Sequence, residues 1–135
     1  MNRSALLTLA ASLVAGAAMA QAQSARRVFE IRTYTSHEGK LEDLNARFRN
    51  HTLRLFEKHG MVNIGYWTPA DGPLAKNTLI YVVAHKSREA AKKSWDAFRA
   101  DPEWVKARDA SEVAGKIVLK VESVFLDPTD YSPVK

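Results

Sequence analysis

Four short segments of the chain are dominated by hydrophobic positions, and these segments predict β-strands. Each is rich in β-branched and aromatic residues and is bounded by residues that favour turns. The predicted strands cover residues 28–34, 61–68, 78–85 and 117–126. A loop with glycine, aspartate and two prolines, residues 69–77, separates the second strand from the third.

The two remaining stretches have the period of amphipathic helices. Residues 40–59 contain no glycine or proline, and Gly60 follows at the position of a left-handed helix cap. Five residues of this stretch fall on one stripe that should face a sheet: Leu41, Leu44, Phe48, Leu55 and His59. Ser87 is a suitable N-cap for a helix to about residue 100, and Asp101-Pro102 restarts a helix that reaches about residue 114.

The order of elements is therefore β-α-β-β-α-β. This order predicts an α+β fold of the ferredoxin-like kind, with an antiparallel sheet and two helices on one of its faces. Residues 28–135 form the single predicted domain, preceded by a flexible segment, residues 21–27. The third and fourth strands are apolar on both faces, but two helices can cover only one. A second copy of the sheet is the simplest cover, so we expect a homodimer.

The first 20 residues have the pattern of a secretory signal peptide. Arg3 precedes an apolar run, residues 5–18, which is shorter than the about 20 residues of a membrane span. Ala18-Met19-Ala20 offers a cleavage site after Ala20, and a second site follows Ala22. We expect an exported protein, periplasmic or secreted, that does not contact the membrane after cleavage. An uncleaved anchor is the alternative.

The composition of the chain narrows the kinds of site and partner that it could have. The chain has no cysteine, which excludes disulfides, thiolate metal sites and cysteine nucleophiles. Its formal net charge is +5, but acids and bases are mixed along the helices, as on a solvated surface. No basic stripe with interleaved aromatic residues is present, so a nucleic-acid partner is not expected.

Several stretches resemble the NIPSNAP family, in order and with compatible spacing. They include FEIRTY (29–34), GYWTP (65–69), WDAFRADPEW (95–104) and LDPTDYSP (126–133). The resemblance covers about residues 27–133 and implies a dimeric α+β barrel. It does not imply a reaction, since no enzymatic activity defines the family. Barrels of this kind include cofactor-free monooxygenases, haem-degrading enzymes and small-molecule-binding proteins, an analogy of fold alone.

His51 is the best candidate for a catalytic residue. Regular helical spacing places it about 20° from Leu44, between Phe48 and Leu55 on the stripe that faces the sheet. A histidine there is either a core residue with a hydrogen-bond partner or a base in a pocket.

The first strand supplies polar partners. Glu30, Arg32 and Tyr34 alternate with apolar residues and share one face. They form either a structural ion pair or a pocket in which Arg32 and Tyr34 bind an anionic or carbonyl oxygen. Trp67 and Trp95 belong to an aromatic set that fills the core or walls a cavity. Arg108, four residues after Trp104, could stack on that ring or pair with an acid of a ligand.

Metal and cofactor motifs are absent from the sequence. His51 and His59 are eight residues apart, about 12 Å along a helix, too far to share one ion. We expect no metal site and no cofactor, with haem on His51 or His85 as the alternative. The first functional hypothesis is binding of a small, partly apolar ligand by Arg32, Tyr34, His51, Trp67, Trp95 and Arg108. The alternatives are a cofactor-independent monooxygenase or isomerase-like enzyme, with His51 moving the proton, and an interaction module without a site.

Overall fold

The computed structural model describes residues 26–135. The predicted signal peptide, both of its cleavage sites and most of the predicted flexible segment lie outside these residues. Among the described residues, no helix is both long enough and apolar enough to cross a membrane.

Four strands form one antiparallel sheet: β1 (Val28–Ser36), β2 (Val62–Trp67), β3 (Thr78–His85) and β4 (Val118–Leu126). Their order across the sheet is β2-β3-β1-β4, so the first strand lies in the middle. This topology confirms the predicted α+β fold and the β-α-β-β-α-β order. All four strands lie within two residues of their predicted bounds.

The helical residues form two crossover connections, which lie on one face of the sheet. The first connection contains α1 (Leu41–Arg47), a π-helical segment (Phe48–Thr52) and α2 (Leu53–Lys58); the second contains α3 (Arg88–Ala100) and α4 (Pro102–Ser111). The predicted caps are present. The Ser87 hydroxyl accepts a hydrogen bond from the Ala90 amide at 2.9 Å, and Gly60 has a φ of +82° that only glycine adopts without strain.

The π-helical segment makes the predicted orientation of His51 wrong. A π-helix closes its hydrogen bonds over five residues instead of four, so it adds one residue to the turn. Thr52 therefore takes the inward position that regular spacing gives to His51, and it is 1% exposed. The Thr52 hydroxyl donates to the Arg47 carbonyl, five residues earlier, at 3.2 Å. His51 itself is exposed.

The sheet has an inner face, which the helices cover, and an outer face, which they do not. Most of the core lies at the inner face, where the buried side chains of β3 meet those of the helices. The buried cluster consists of Leu44, Phe48, Leu55, Phe56, Met61, Leu79, Tyr81, Val83, Trp95, Phe98 and Ile117. Within it, Phe56 packs edge-on against Phe98, with ring centroids 4.9 Å apart.

The outer face is apolar and only partly covered. The C-terminal segment, residues 127–135, lies beside it and lines, with Phe29, Ile64 and Val82, a groove of about 390 Å³. Val124 and Trp67 are 57% and 55% exposed. The Trp67 indole lies over Gly65, where an added Cβ would come within 2.4 Å of the ring. This glycine is therefore required by the close approach of the indole.

Candidate functional site

Glu30 is the centre of a buried polar network between the sheet and α3. Its side chain is 2% exposed. One carboxylate oxygen accepts hydrogen bonds from Arg32 Nη1 at 2.7 Å and from Ser123 Oγ at 2.6 Å. The other accepts from His85 Nε2 at 2.9 Å and from Trp95 Nε1 at 2.7 Å. Four donors from three strands and one helix thus converge on a single carboxylate.

These donors determine the ionisation of Glu30. Burial favours the neutral acid, but the hydrogen bonds from His85, Ser123, Trp95 and Arg32 together outweigh it and lower the pKa of Glu30 to about 2. The side chain is therefore a carboxylate at every physiological pH, and the charge of Arg32 has a fixed partner.

Arg32 is held in place by Glu30 and by aromatic rings. Its guanidinium carbon lies 4.2 Å from the centroid of the Trp95 ring and 5.7 Å from that of Tyr34. Its side chain is 15% exposed. The Nε atom is buried and has no hydrogen-bond partner among residues 26–135. Arg32 is therefore a rigid cation with an unused donor beside Tyr34.

The Tyr34 hydroxyl accepts one hydrogen bond and donates none within residues 26–135. The Tyr81 hydroxyl donates to the Tyr34 hydroxyl at 3.1 Å. Tyr81 is fully buried, and this burial raises its pKa well above the usual value. Tyr34 accepts from Tyr81 and keeps its own proton for a further acceptor.

A cavity of about 210 Å³ lies next to Tyr34, between the inner face and the helices. Five aromatic side chains contribute to its walls: Tyr34, Phe48, Phe56, Phe98 and Trp104. Val118 and Val121 of β4 line its open side, and Val121 is 41% exposed. Charged side chains enter only from the helices and the loop after α4: Arg47, Arg108 and Glu112.

Arg47 is the most buried of these charges, with a side chain that is 4% exposed. Its Nη1 donates to Ser111 Oγ at 3.3 Å and to Glu112 Oε1 at 3.2 Å, both long for a charged donor. The guanidinium carbon lies 5.2 Å from the centroid of the Trp104 ring. The Nε atom is buried and lacks a partner within the described part of the chain. Arg47 thus reaches the cavity with hydrogen-bonding capacity unused.

The structure brings only some of the predicted site residues to this cavity. Tyr34 and Arg108 line it. Arg32 and Trp95 belong to the Glu30 network beside Tyr34. Contrary to the predicted stacking of Arg108, the ring of Trp104 lies under Arg47, and Arg108 pairs with Asp109 at 2.9 Å.

Two predicted residues lie elsewhere. His51 lines an open groove between α1 and α4, outside the cavity, for the helical reason given above. Trp67 lies on the outer face, because its partner in β3 is Ile80 and not an inner-face residue. The register of β2 shifts between Asn63 and Gly65, and this shift leaves Tyr66 on the inner face, stacked on Tyr81.

The two histidines considered for haem have different surroundings. His51 is exposed, whereas the His85 side chain is 1% exposed and directs Nε2 to Glu30. Among the residues that the structure describes, no group of three histidine, aspartate or glutamate side chains could hold a metal ion.

Sequence reasoning missed Arg47, Ser123 and His85 as members of the site region. Arg47 lies three residues after the buried Leu44, so helical spacing alone could have placed it inward. A charged residue in a helix is ordinarily assigned to solvent, and its partners Ser111 and Glu112 are more than 60 residues away. No local pattern connects them.

A model of the NIPSNAP family matches residues 29–133 of the chain. Two solved structures are similar over most of the chain. A NIPSNAP family protein with unknown function from Agrobacterium tumefaciens has 20% identity and a TM-score of 0.71, over 82% of this chain and 96% of that one. A NIPSNAP-like domain protein from Burkholderia xenovorans has 18% identity and a TM-score of 0.69, over 81% and 90%.

A third structure is more distant. SnoaB from Streptomyces nogalater, a cofactor-independent oxygenase, has 13% identity and a TM-score of 0.54, over 81% of this chain and 99% of that one. At these identities the similarity extends to the fold alone. No curated protein matches the chain.

Proposed function

The chain belongs to the NIPSNAP family, and we propose that it binds a small, partly apolar ligand in the cavity beside Tyr34. The observation that carries this proposal is the combination of aromatic walls with Arg47, a buried cation whose Nε lacks a partner among the described residues. Ligand sites are typically apolar with a few directed polar groups. A core that served only for packing would fill this space, because protein interiors are close-packed.

Native mass spectrometry of the protein purified from its own host tests the proposal. We expect a retained small molecule in the wild-type protein. Val121→Trp places an indole at the open side of the cavity, where the valine is 41% exposed, and should lower the bound fraction at least tenfold. Val113→Trp is the matched control, because Val113 is 87% exposed and does not line the cavity. Equal retention in both variants would place the ligand elsewhere.

An oxygenase without a cofactor is the second candidate. The fold similarity to SnoaB and the free hydroxyl proton of Tyr34 beside Arg32 favour it, since such donors stabilise a developing oxyanion. The proposed base, His51, lies outside the cavity. Glu112, the carboxylate of the cavity wall, is held by Lys116 and Arg47. Binding without turnover is therefore better supported than oxygenation. If the protein consumed oxygen when mixed with the recovered ligand, oxygenation would become the better supported function.

We further propose that two copies associate through the outer faces of their sheets. Support comes from the apolar side chains left exposed there after the C-terminal segment is in place, Val124 and Trp67 among them. Exposed apolar patches of this kind mark interaction surfaces. The family resemblance implies the same arrangement.

Export is the remaining proposal, and it rests on the apolar run before Ala20. We expect the mature protein in the periplasmic or culture fraction. N-terminal sequencing should begin at Gln21 or at Gln23, the residues that follow the two cleavage sites. A chain that starts at Met1 and remains with the cytoplasmic fraction would contradict export.

A further inference from the structure

The size of the cavity limits the ligand. Its volume of about 210 Å³ exceeds only modestly the about 150 Å³ of an engineered apolar cavity that binds benzene. A single six-membered ring with one small substituent matches this space. The walls are also suited to a ring, because Phe98 and Trp104, with centroids 4.5 Å apart and planes tilted by 33°, can pack against a third aromatic ring.

The charge of the lining is positive. Two arginines and one glutamate reach the cavity, and the carboxylate of Glu112 is shared between Arg47 and Lys116. The burial of a guanidinium is costly unless its donors are satisfied. Arg47 has two long hydrogen bonds and a buried Nε without a partner in residues 26–135.

Arg108 adds a second cation at the edge of the same cavity. Its side chain is 41% exposed and its Nη2 lies 2.9 Å from the exposed carboxylate of Asp109. A carboxylate matches the fork of donors on a guanidinium better than a neutral group does. The position of Arg108 allows it to reach the same anion from the solvent side.

We infer that the ligand is a monocyclic aromatic carboxylate, whose ring lies among Phe48, Phe98 and Trp104 and whose carboxylate faces Arg47 and Arg108. This inference rests on the proposed function, because it names the chemical class of the ligand in the same cavity. The free proton of Tyr34 offers a hydrogen bond to a second oxygen of the ring substituents.

Benzoate and its neutral isostere benzamide are the probes, titrated into the full protein and followed by calorimetry and by NMR of the tryptophan indoles. We expect benzoate to bind at least tenfold more tightly than benzamide and to shift the Trp104 indole resonance. Hexanoate, which has the charge without the ring, should bind at least threefold more weakly than benzoate. A reversed order for hexanoate would overturn the aromatic part of the inference.

Substitutions of the two arginines test where the carboxylate of benzoate binds. Arg108→Gln should weaken benzoate three- to tenfold and leave benzamide unchanged. Arg99→Gln is the matched control, since Arg99 is also paired with a surface aspartate, at 3.1 Å, but does not line the cavity. Arg47→Lys keeps the charge and should retain part of the preference, whereas Arg47→Met should abolish it; circular dichroism reports whether either variant folds. Arg108→Gln remains decisive if Arg47→Met does not fold.

The outcomes separate the two levels of the proposal. Equal affinity for benzoate and benzamide, both weakened by Val121→Trp, would overturn the carboxylate and leave the cavity as a ligand site. Benzoate binding that is unaffected by Val121→Trp and Arg108→Gln would place the anion at the surface and also overturn the inference. Failure of benzoate to bind at millimolar concentration overturns it too. The retained ligand in native mass spectrometry then decides the proposed function independently.

Discussion

Replacing Glu30 by alanine is expected to destabilise the protein by about 3–5 kcal/mol, the range for removal of one partner from a buried ion pair. The wild-type carboxylate accepts four hydrogen bonds, and its loss leaves the donors of His85, Trp95 and Ser123 without an acceptor. It also leaves the charge of Arg32 uncompensated on the inner face of β1, in the middle of the sheet. Since domains are typically stable by about 5–15 kcal/mol, this loss approaches the whole stability of the fold.

Urea unfolding at a fixed protein concentration, followed by far-ultraviolet circular dichroism, measures the effect. Glu89→Ala is the matched control, because Glu89 is a carboxylate on α3, away from the outer face, that is 80% exposed and pairs with Lys93. The free energy of unfolding of this control should change by no more than about 0.5 kcal/mol, as for surface substitutions in general. A loss below about 1 kcal/mol for Glu30→Ala would show that the network contributes little.

Acid titration of the wild-type protein provides a second readout of the same carboxylate. The pKa of Glu30 is about 2 in the folded protein and near its ordinary value of 4.5 in the unfolded chain. The folded state therefore gains stability from the ionised form, fully so above pH 4.5, and loses this gain as the pH falls toward 2. Glu30→Ala should lack this part of the pH dependence. Parallel profiles for the two proteins would contradict the assignment.

Replacing Val124 by lysine is expected to convert the proposed homodimer into a monomer. Val124 is 57% exposed on the outer face, opposite Ile31 of β1. An ammonium buried between two apolar sheets has no partner, and its desolvation costs several kcal/mol. Association should weaken by at least a hundredfold.

Size-exclusion chromatography with light scattering reads the mass directly. The mature wild-type chain should elute at about twice the monomer mass of about 12–13 kDa, estimated at about 110 Da per residue. Val113→Lys, at an 87% exposed site away from the sheet, should remain dimeric. A wild-type protein that stays monomeric at about 100 μM, where a dimer with a micromolar Kd would be largely associated, would exclude the outer-face dimer.

Much of the fold could be predicted because its signals are local. Runs of β-branched and aromatic residues located all four strands, and Ser87, Asp101 and Gly60 located helix ends through short-range hydrogen bonds and backbone angles. The shared face of Glu30, Arg32 and Tyr34 also followed from alternation alone. Alternation therefore placed these three side chains on the same face of β1, but it did not show which residues they contact.

The cavity could not be predicted in the same way, because its residues come from separate elements. Arg47, Trp104 and Val121 meet only when α1, α4 and β4 pack on the sheet. The position of Trp67 depended on the register shift in β2, and no residue type in that strand indicates where the shift occurs. Predictions from periodicity assume regular helix and strand geometry. The errors in the positions of His51 and Trp67 arose where the backbone departs from that geometry.

The π-helical segment at residues 48–52 has a consequence for comparison with other members of the family. A relative whose helix is regular throughout would have one residue fewer between the counterparts of Leu44 and Phe56. An alignment without a gap would then match His51 to an inward-facing residue of the relative and shift every later helical position by one. The structural equivalent of that inward residue is Thr52, so a role assigned to it in a relative transfers to the threonine and not to the histidine.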